Sequence, residues 1–233
     1  MNKKLMLIVV GALTALAFTA LPGAASAKET KLDCEKLPCE FTATGGVATF
    51  STVDGDTVSC SSVTGSGGVA TKEATTFTVS LKYHGCKETI TGFNFACTTP
   101  GQSSGTIVGT TAIGHIVALE KAVAPSENGI LLTDLKTTYT CAGGFARTTV
   151  TGNIIGENEV KCGAAAGTIQ KWNFAAPSHG NQAITTWTGK TFNLLSMTNH
   201  PETPTVGGTY ETTAKSGTTT LTWNQNVQVT CVE

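Results

Sequence analysis

From Thr76 to His84 the chain alternates with a period of two. Phe77, Val79, Leu81 and Tyr83 fall on one side of an extended backbone, and Thr78, Ser80, Lys82 and His84 on the other. The pattern returns near the C-terminus. There Leu221, Trp223, Val227, Val229 and Cys231 oppose Thr220, Thr222, Asn224, Asn226, Gln228 and Thr230. Successive side chains of a strand point to opposite faces, so this spacing predicts half-buried antiparallel strands. Further strand candidates are Val47–Val53, Thr57–Val63, Ile113–Leu119, Thr137–Cys141, Arg147–Ile155, Ile169–Phe174, Thr185–Leu194 and Gly208–Thr213. Asp54-Gly55, between the first two, is a hairpin-turn dipeptide. The chain is rich in Thr, Ser, Gly and Val; Thr and Val favour strands and Gly marks turns and bulges. Ala112–Ala124 comes nearest to helical spacing, but its Ile and Val content, Gly114 and Pro125 argue against a helix. The expected fold is an all-β antiparallel sandwich, with a β-barrel as the alternative.

Two lysines in Met1–Lys4, an uncharged apolar run over Leu5–Leu21 and the small residues Ala25-Ser26-Ala27 have the anatomy of a secretory signal peptide, with cleavage expected after Ala27. The apolar run is short for a membrane anchor, which needs roughly 20 residues. The first cysteine is Cys34, so no lipid-attachment cysteine stands at the cleavage point, and no later segment is apolar enough to span a membrane. The expectation is a protein released outside the cell through the general secretory route. Residues 28–44 read as a short arm with a local disulfide, and 45–233 as one all-β domain, since no Pro-rich or charged linker divides them. All eight cysteines (Cys34, Cys39, Cys60, Cys86, Cys97, Cys141, Cys162 and Cys231) lie in the exported part. In an oxidising compartment they predict four disulfides; eight cysteines allow 105 connectivities, and spacing alone leaves the choice open. Zinc is the competing use, but no histidine sits at ligand spacing from Cys34-x4-Cys39 or Cys86-x10-Cys97.

The net charge is −1 and falls slightly when Lys3 and Lys4 leave with the leader; Arg147 is the single arginine. Nucleic-acid binding needs a basic patch to displace phosphate counterions, so nucleic acid is not an expected partner. Gly101-Gln102-Ser103-Ser104-Gly105 fits the nucleophile-elbow pattern of serine hydrolases, but that chemistry needs a strand-to-helix turn and no helix follows. His84, His115, His179 and His200 form no zinc-hydrolase motif, although a triad assembled from one of them with Asp134 and a serine stays open. Asp54-Gly55-Asp56 lacks the further oxygen ligands of a calcium loop and reads as the hairpin turn. No pair of carboxylates suggests glycosidase chemistry. Tyr83 and Trp223 lie on apolar stripes, and Trp172, Tyr139 and Tyr210 are also read as core. Trp187, among polar neighbours, is the candidate for an exposed stacking residue. The Thr and Asn rows, such as Thr218–Asn226, match either a solvated sheet face or a flat glycan-binding surface.

One further set of motifs carries a resemblance. In order they are Ser59-Cys60, Val79-Ser80-Leu81, Gly85-Cys86, Cys97, the Gly-rich turn Gly101–Gly105, Ile113-Gly114-His115-Ile116, Tyr139-Thr140-Cys141, Val150-Thr151-Gly152-Asn153-Ile154-Ile155-Gly156 and Val206-Gly207-Gly208-Thr209-Tyr210. They resemble an uncharacterised group of secreted, Thr/Gly-rich, disulfide-containing β proteins of soil actinobacteria, over most of residues 45–215. The resemblance implies no activity. It implies that Cys60, Cys86, Cys97 and Cys141 are the shared cysteines, pairing as Cys86–Cys97 and Cys60–Cys141, with Cys34–Cys39 and Cys162–Cys231 as additions. The functional expectation is a non-enzymatic extracellular binding or structural protein with no cofactor or metal. Its partner would be an extracellular glycan or the cell-envelope surface. A secreted hydrolase with a dispersed active site is the alternative.

Overall fold

The computed structural model describes residues 29–52, 57–90, 92–119, 127–142, 146–175, 186–187, 190–191, 197–201 and 211–232. The leader, the Asp54-Gly55 turn, His179 and Tyr210 lie outside them. Among the described residues eighteen strands follow one another: β1 (Glu29–Cys34), β2 (Cys39–Gly45), β3 (Ala48–Thr52), β4 (Thr57–Cys60), β5 (Ser62–Val69), β6 (Glu73–Ala74), β7 (Thr76–His84), β8 (Lys87–Ile90), β9 (Phe93–Ala96), β10 (Ile107–Val108), β11 (Ala112–Ala118), β12 (Asn128–Cys141), β13 (Ala146–Asn158), β14 (Gly167–Phe174), β15 (Thr186–Trp187), β16 (Lys190–Thr191), β17 (Met197–Pro201) and β18 (Glu211–Val232). The described residues contain no α-helix.

The all-β antiparallel expectation holds, and the barrel alternative is the architecture adopted in place of the sandwich. Strands β14, β13, β12, β11, β7, β5, β2 and β18 are hydrogen-bonded in that order, and a β14–β18 ladder closes the ring. A closed ring leaves no edge strand to manage. Strand β18 runs for 22 residues and pairs with β1, β2, β3, β14 and β17 along its length. Where it leaves the barrel it carries β3, which leads on through β4 and β8 to β9. Residues 29–34, expected in a separate arm, pair in register with 227–232 of β18.

The interior is aromatic. Phe41 lies at its centre, with ring centroids 4.7 Å from Trp223, 5.9 Å from Trp172 and 6.0 Å from Phe77. These rings fit because glycines stand opposite them: a Cβ on Gly67 would come within 2.4 Å of Phe41, and one on Gly114 within 2.0 Å of Phe77. A second layer below it packs Phe50 against Tyr83 with centroids 5.0 Å apart. Both layers belong to one continuous apolar core. Trp172, Trp223, Tyr83 and Tyr139 are buried, as their positions predicted.

The disulfides correct part of the expected wiring. Cys34–Cys39 and Cys162–Cys231 form as expected, but the other two are Cys60–Cys86 and Cys97–Cys141. The sheet order explains the difference. The β4–β8 ladder brings Cys60 beside Cys86, and the Thr98–Thr140 bridge brings Cys97 beside Cys141. Cys86 and Cys97 do meet across the β8–β9 hairpin, where the Cys97 amide donates to the Cys86 carbonyl at 3.0 Å. The four cysteines thus form a row in which each middle member takes its outer neighbour. In the chain-entropy model such links stabilise by about 2–4 kcal/mol each.

Candidate binding face

The outer side of the barrel carries an open groove of about 960 Å³ over β2, β5, β7, β11 and β18. Strict alternation builds it. Phe41, Phe77 and Trp223 turn inward, so Thr42, Thr76, Thr78, Thr222 and Asn224 turn out. Across the strands these residues stand in register: Thr222 faces Thr42, and Thr42 faces Ser66. Next to that row, Thr220 faces Thr44. Neighbouring strands lie about 4.8 Å apart and alternate residues about 6.8 Å apart, so the result is a regular lattice of hydroxyls.

The hydroxyls of Thr42, Thr44, Ser66, Thr76, Thr220 and Thr222 make no hydrogen bond among the described residues. Several comparable groups elsewhere on the outer surface are engaged. Ser80 bonds Thr111 at 2.8 Å, Thr64 bonds His84 at 2.8 Å, Thr138 bonds Thr149 at 2.8 Å and Thr218 donates to Asn173 at 2.7 Å. Of the unengaged hydroxyls, those of Thr42, Ser66, Thr76 and Thr222 line the groove, and those of Thr44 and Thr220 lie beside it. Its rim is fixed: Asn224 accepts from the Glu40 amide at 3.2 Å and donates to the Pro38 carbonyl at 3.2 Å. Glu40 is the one charged residue among those lining the groove, and Ile113 adds an exposed apolar side chain.

Beyond Ile113, His115 stands opposite Thr76 across β7 and β11. Its Nε2 lies 3.2 Å from the Thr133 hydroxyl, which also approaches Asp134 Oδ2 at 3.5 Å. A β-bulge between Leu132 and Leu135 sets this corner, with Asp134 at φ 59°. A hydroxyl, an imidazole and a carboxylate thus meet, as a nucleophilic triad requires. Their order is wrong for one: Asp134 reaches the hydroxyl, whereas a triad carboxylate holds the far nitrogen of the imidazole. Burial lowers the His115 pKa, against an opposing pull from Asp134, so the ring is neutral at pH 7 and serves as a hydrogen-bonding group.

The remaining sequence candidates fall elsewhere. Ser103 sits in the exposed turn between β9 and β10 and bonds the Thr106 hydroxyl at 3.0 Å, with no helix after it. His84 is held by Thr64. Trp187 pairs through its backbone with Lys190 in the β15–β16 hairpin; its side chain and that of His200 lie outside the described residues. One cluster of metal-ligand types occurs among the described residues, Glu88 with Cys97 and Cys141, and both of its sulfurs are in a disulfide. No described helix is long and apolar enough to cross a membrane. The alternation of β18 pointed to Thr220, Thr222 and Asn224, but Thr42 and Ser66 were missed. Residues 39–45 were divided between arm and domain, and the Gly-rich 64–68 has no strand-like composition. Comparison of the chain with family models, curated proteins and solved structures finds no match.

Proposed function

We propose that this chain is a secreted, non-enzymatic extracellular protein that binds neutral glycan through the outer-face groove. The observation that carries this reading is the lattice of unengaged hydroxyls at Thr42, Thr44, Ser66, Thr76, Thr220 and Thr222. Hydroxyls both donate and accept, and so do those of a sugar. The near absence of charge favours an uncharged chain over a phosphorylated or sulfated one. Four disulfides accord with an oxidising compartment. The leader-like Lys3–Ala27 segment and the likeness to secreted actinobacterial proteins support export. The Thr133–His115–Asp134 corner lacks a carboxylate on the imidazole, which favours binding over hydrolysis.

The test is retention of the mature protein, residues 28–233, on a panel of neutral polysaccharides and isolated cell envelope. At least one glycan should retain it without release of reducing sugar. The triple variant Thr42→Val, Ser66→Ala, Thr222→Val removes three hydroxyls at nearly constant shape. At about 0.5–1.5 kcal/mol per hydrogen bond, affinity should fall about tenfold or more. Unchanged retention of the triple variant, or no retention of the parent on any glycan, would sink the proposal.

A further inference from the structure

Inside the barrel, on the seam where β14 and β18 close it, four polar side chains are buried together. Gln170, Trp172, Thr219 and Trp223 are each at most 3% exposed. Trp172 faces Thr219 and Gln170 faces Leu221 across the seam. Trp223 lies two residues further along, and both indoles pack on the ring of Phe41. The Gln170 Nε2 and Oε1, the Thr219 Oγ1 and the Nε1 of each tryptophan are buried with no hydrogen-bond partner among the described residues. Leaving one such atom bare costs free energy, and a marginally stable domain cannot carry five.

We infer that this seam binds ordered water, held by Gln170, Trp172, Thr219 and Trp223. Three of the atoms only donate, one only accepts, and the Thr219 hydroxyl does both. Their partner must therefore accept more bonds than it donates across the set, yet still supply a proton to the Gln170 carbonyl. Water meets that demand, and buried waters typically make about three bonds to otherwise unsatisfied groups. This inference is independent of the outer groove.

Rotating-frame NOE spectroscopy between water and the indole N–H groups of the mature protein tests it, together with high-resolution crystallography. Direct water cross-peaks are expected at the Nε1–H of Trp172 and Trp223, with water density between them and Gln170. The Thr219→Val variant should lose most of the Trp172 cross-peak and keep the native amide spectrum. If that variant does not fold, the parent spectrum and density decide alone. Indoles without water cross-peaks, indoles bonded to protein acceptors, or density for an organic or ionic guest would each overturn the inference.

Discussion

Lys215 is the least conventional residue of the molecule. It is fully buried on β18, opposite Phe50 of β3, with its Nζ 3.8 Å from the centre of the Phe174 ring. Burial drives its pKa down to about 7 from the ordinary 10.5. Above pH 7 the folded chain gives up a proton that the unfolded chain keeps until about pH 10.5. Stability should therefore rise with pH in this window, by about 1.4 kcal/mol per unit at most. Tyr83 acts in the opposite sense, because burial raises its pKa above the usual 10.0 and folding is penalised once the unfolded phenol ionises. Denaturant unfolding of the parent at pH 6.5, 8 and 9.5 should show a rising midpoint. Lys215→Met should flatten the rise, since a buried ammonium gives way to an apolar chain of similar length. A parent midpoint independent of pH would contradict the placement of Lys215.

At the scale of elements, β5 decides how the barrel packs. It contributes Gly65, Gly67 and Gly68 to a ladder with β2 and β7, and its inner wall is filled by rings from its neighbours. Gly67→Ala would set a Cβ 2.1 Å from the Thr78 carbonyl and 2.4 Å from Phe41, and Gly114→Ala would press 2.0 Å from Phe77. Each should cost about 1–3 kcal/mol in denaturant unfolding. Gly46→Ala, which meets nothing within 4 Å, should be nearly neutral; equal losses at all three sites would refute this packing. The same strand shows where sequence reading fails. Thr76–His84 was legible to the residue because its own side chains alternate. Gly65 and Gly67 have no side chains to alternate, and their inward positions are defined by Leu81 and Phe41 on other strands. The cysteine row failed for a related reason. The resemblance implied that Cys86 pairs with Cys97, but the partners of both are set by ladders to distant parts of the chain.

For the whole molecule, alternation establishes that strands have one buried face, and a sandwich and a barrel satisfy it equally. Closure depends on β14 meeting β18, a pairing between segments separated in sequence that no local pattern announces. Within the ring, β11, β7, β5, β2 and β18 are consecutive neighbours, so their outward halves form one continuous face. Part of the candidate site, Thr220, Thr222 and Asn224, was visible as a polar row. Thr42, Thr44 and Ser66 joined it only through the register of β2 and β5. The central claim, that this face is where a neutral glycan binds, is tested most directly by amide chemical-shift mapping during titration with the oligosaccharide of a retained polysaccharide. The shifts should be confined to 40–44, 64–68, 76–78, 113–115 and 220–224. Shifts centred on the β3–β4–β8–β9 extension, or none at saturating sugar, would contradict it.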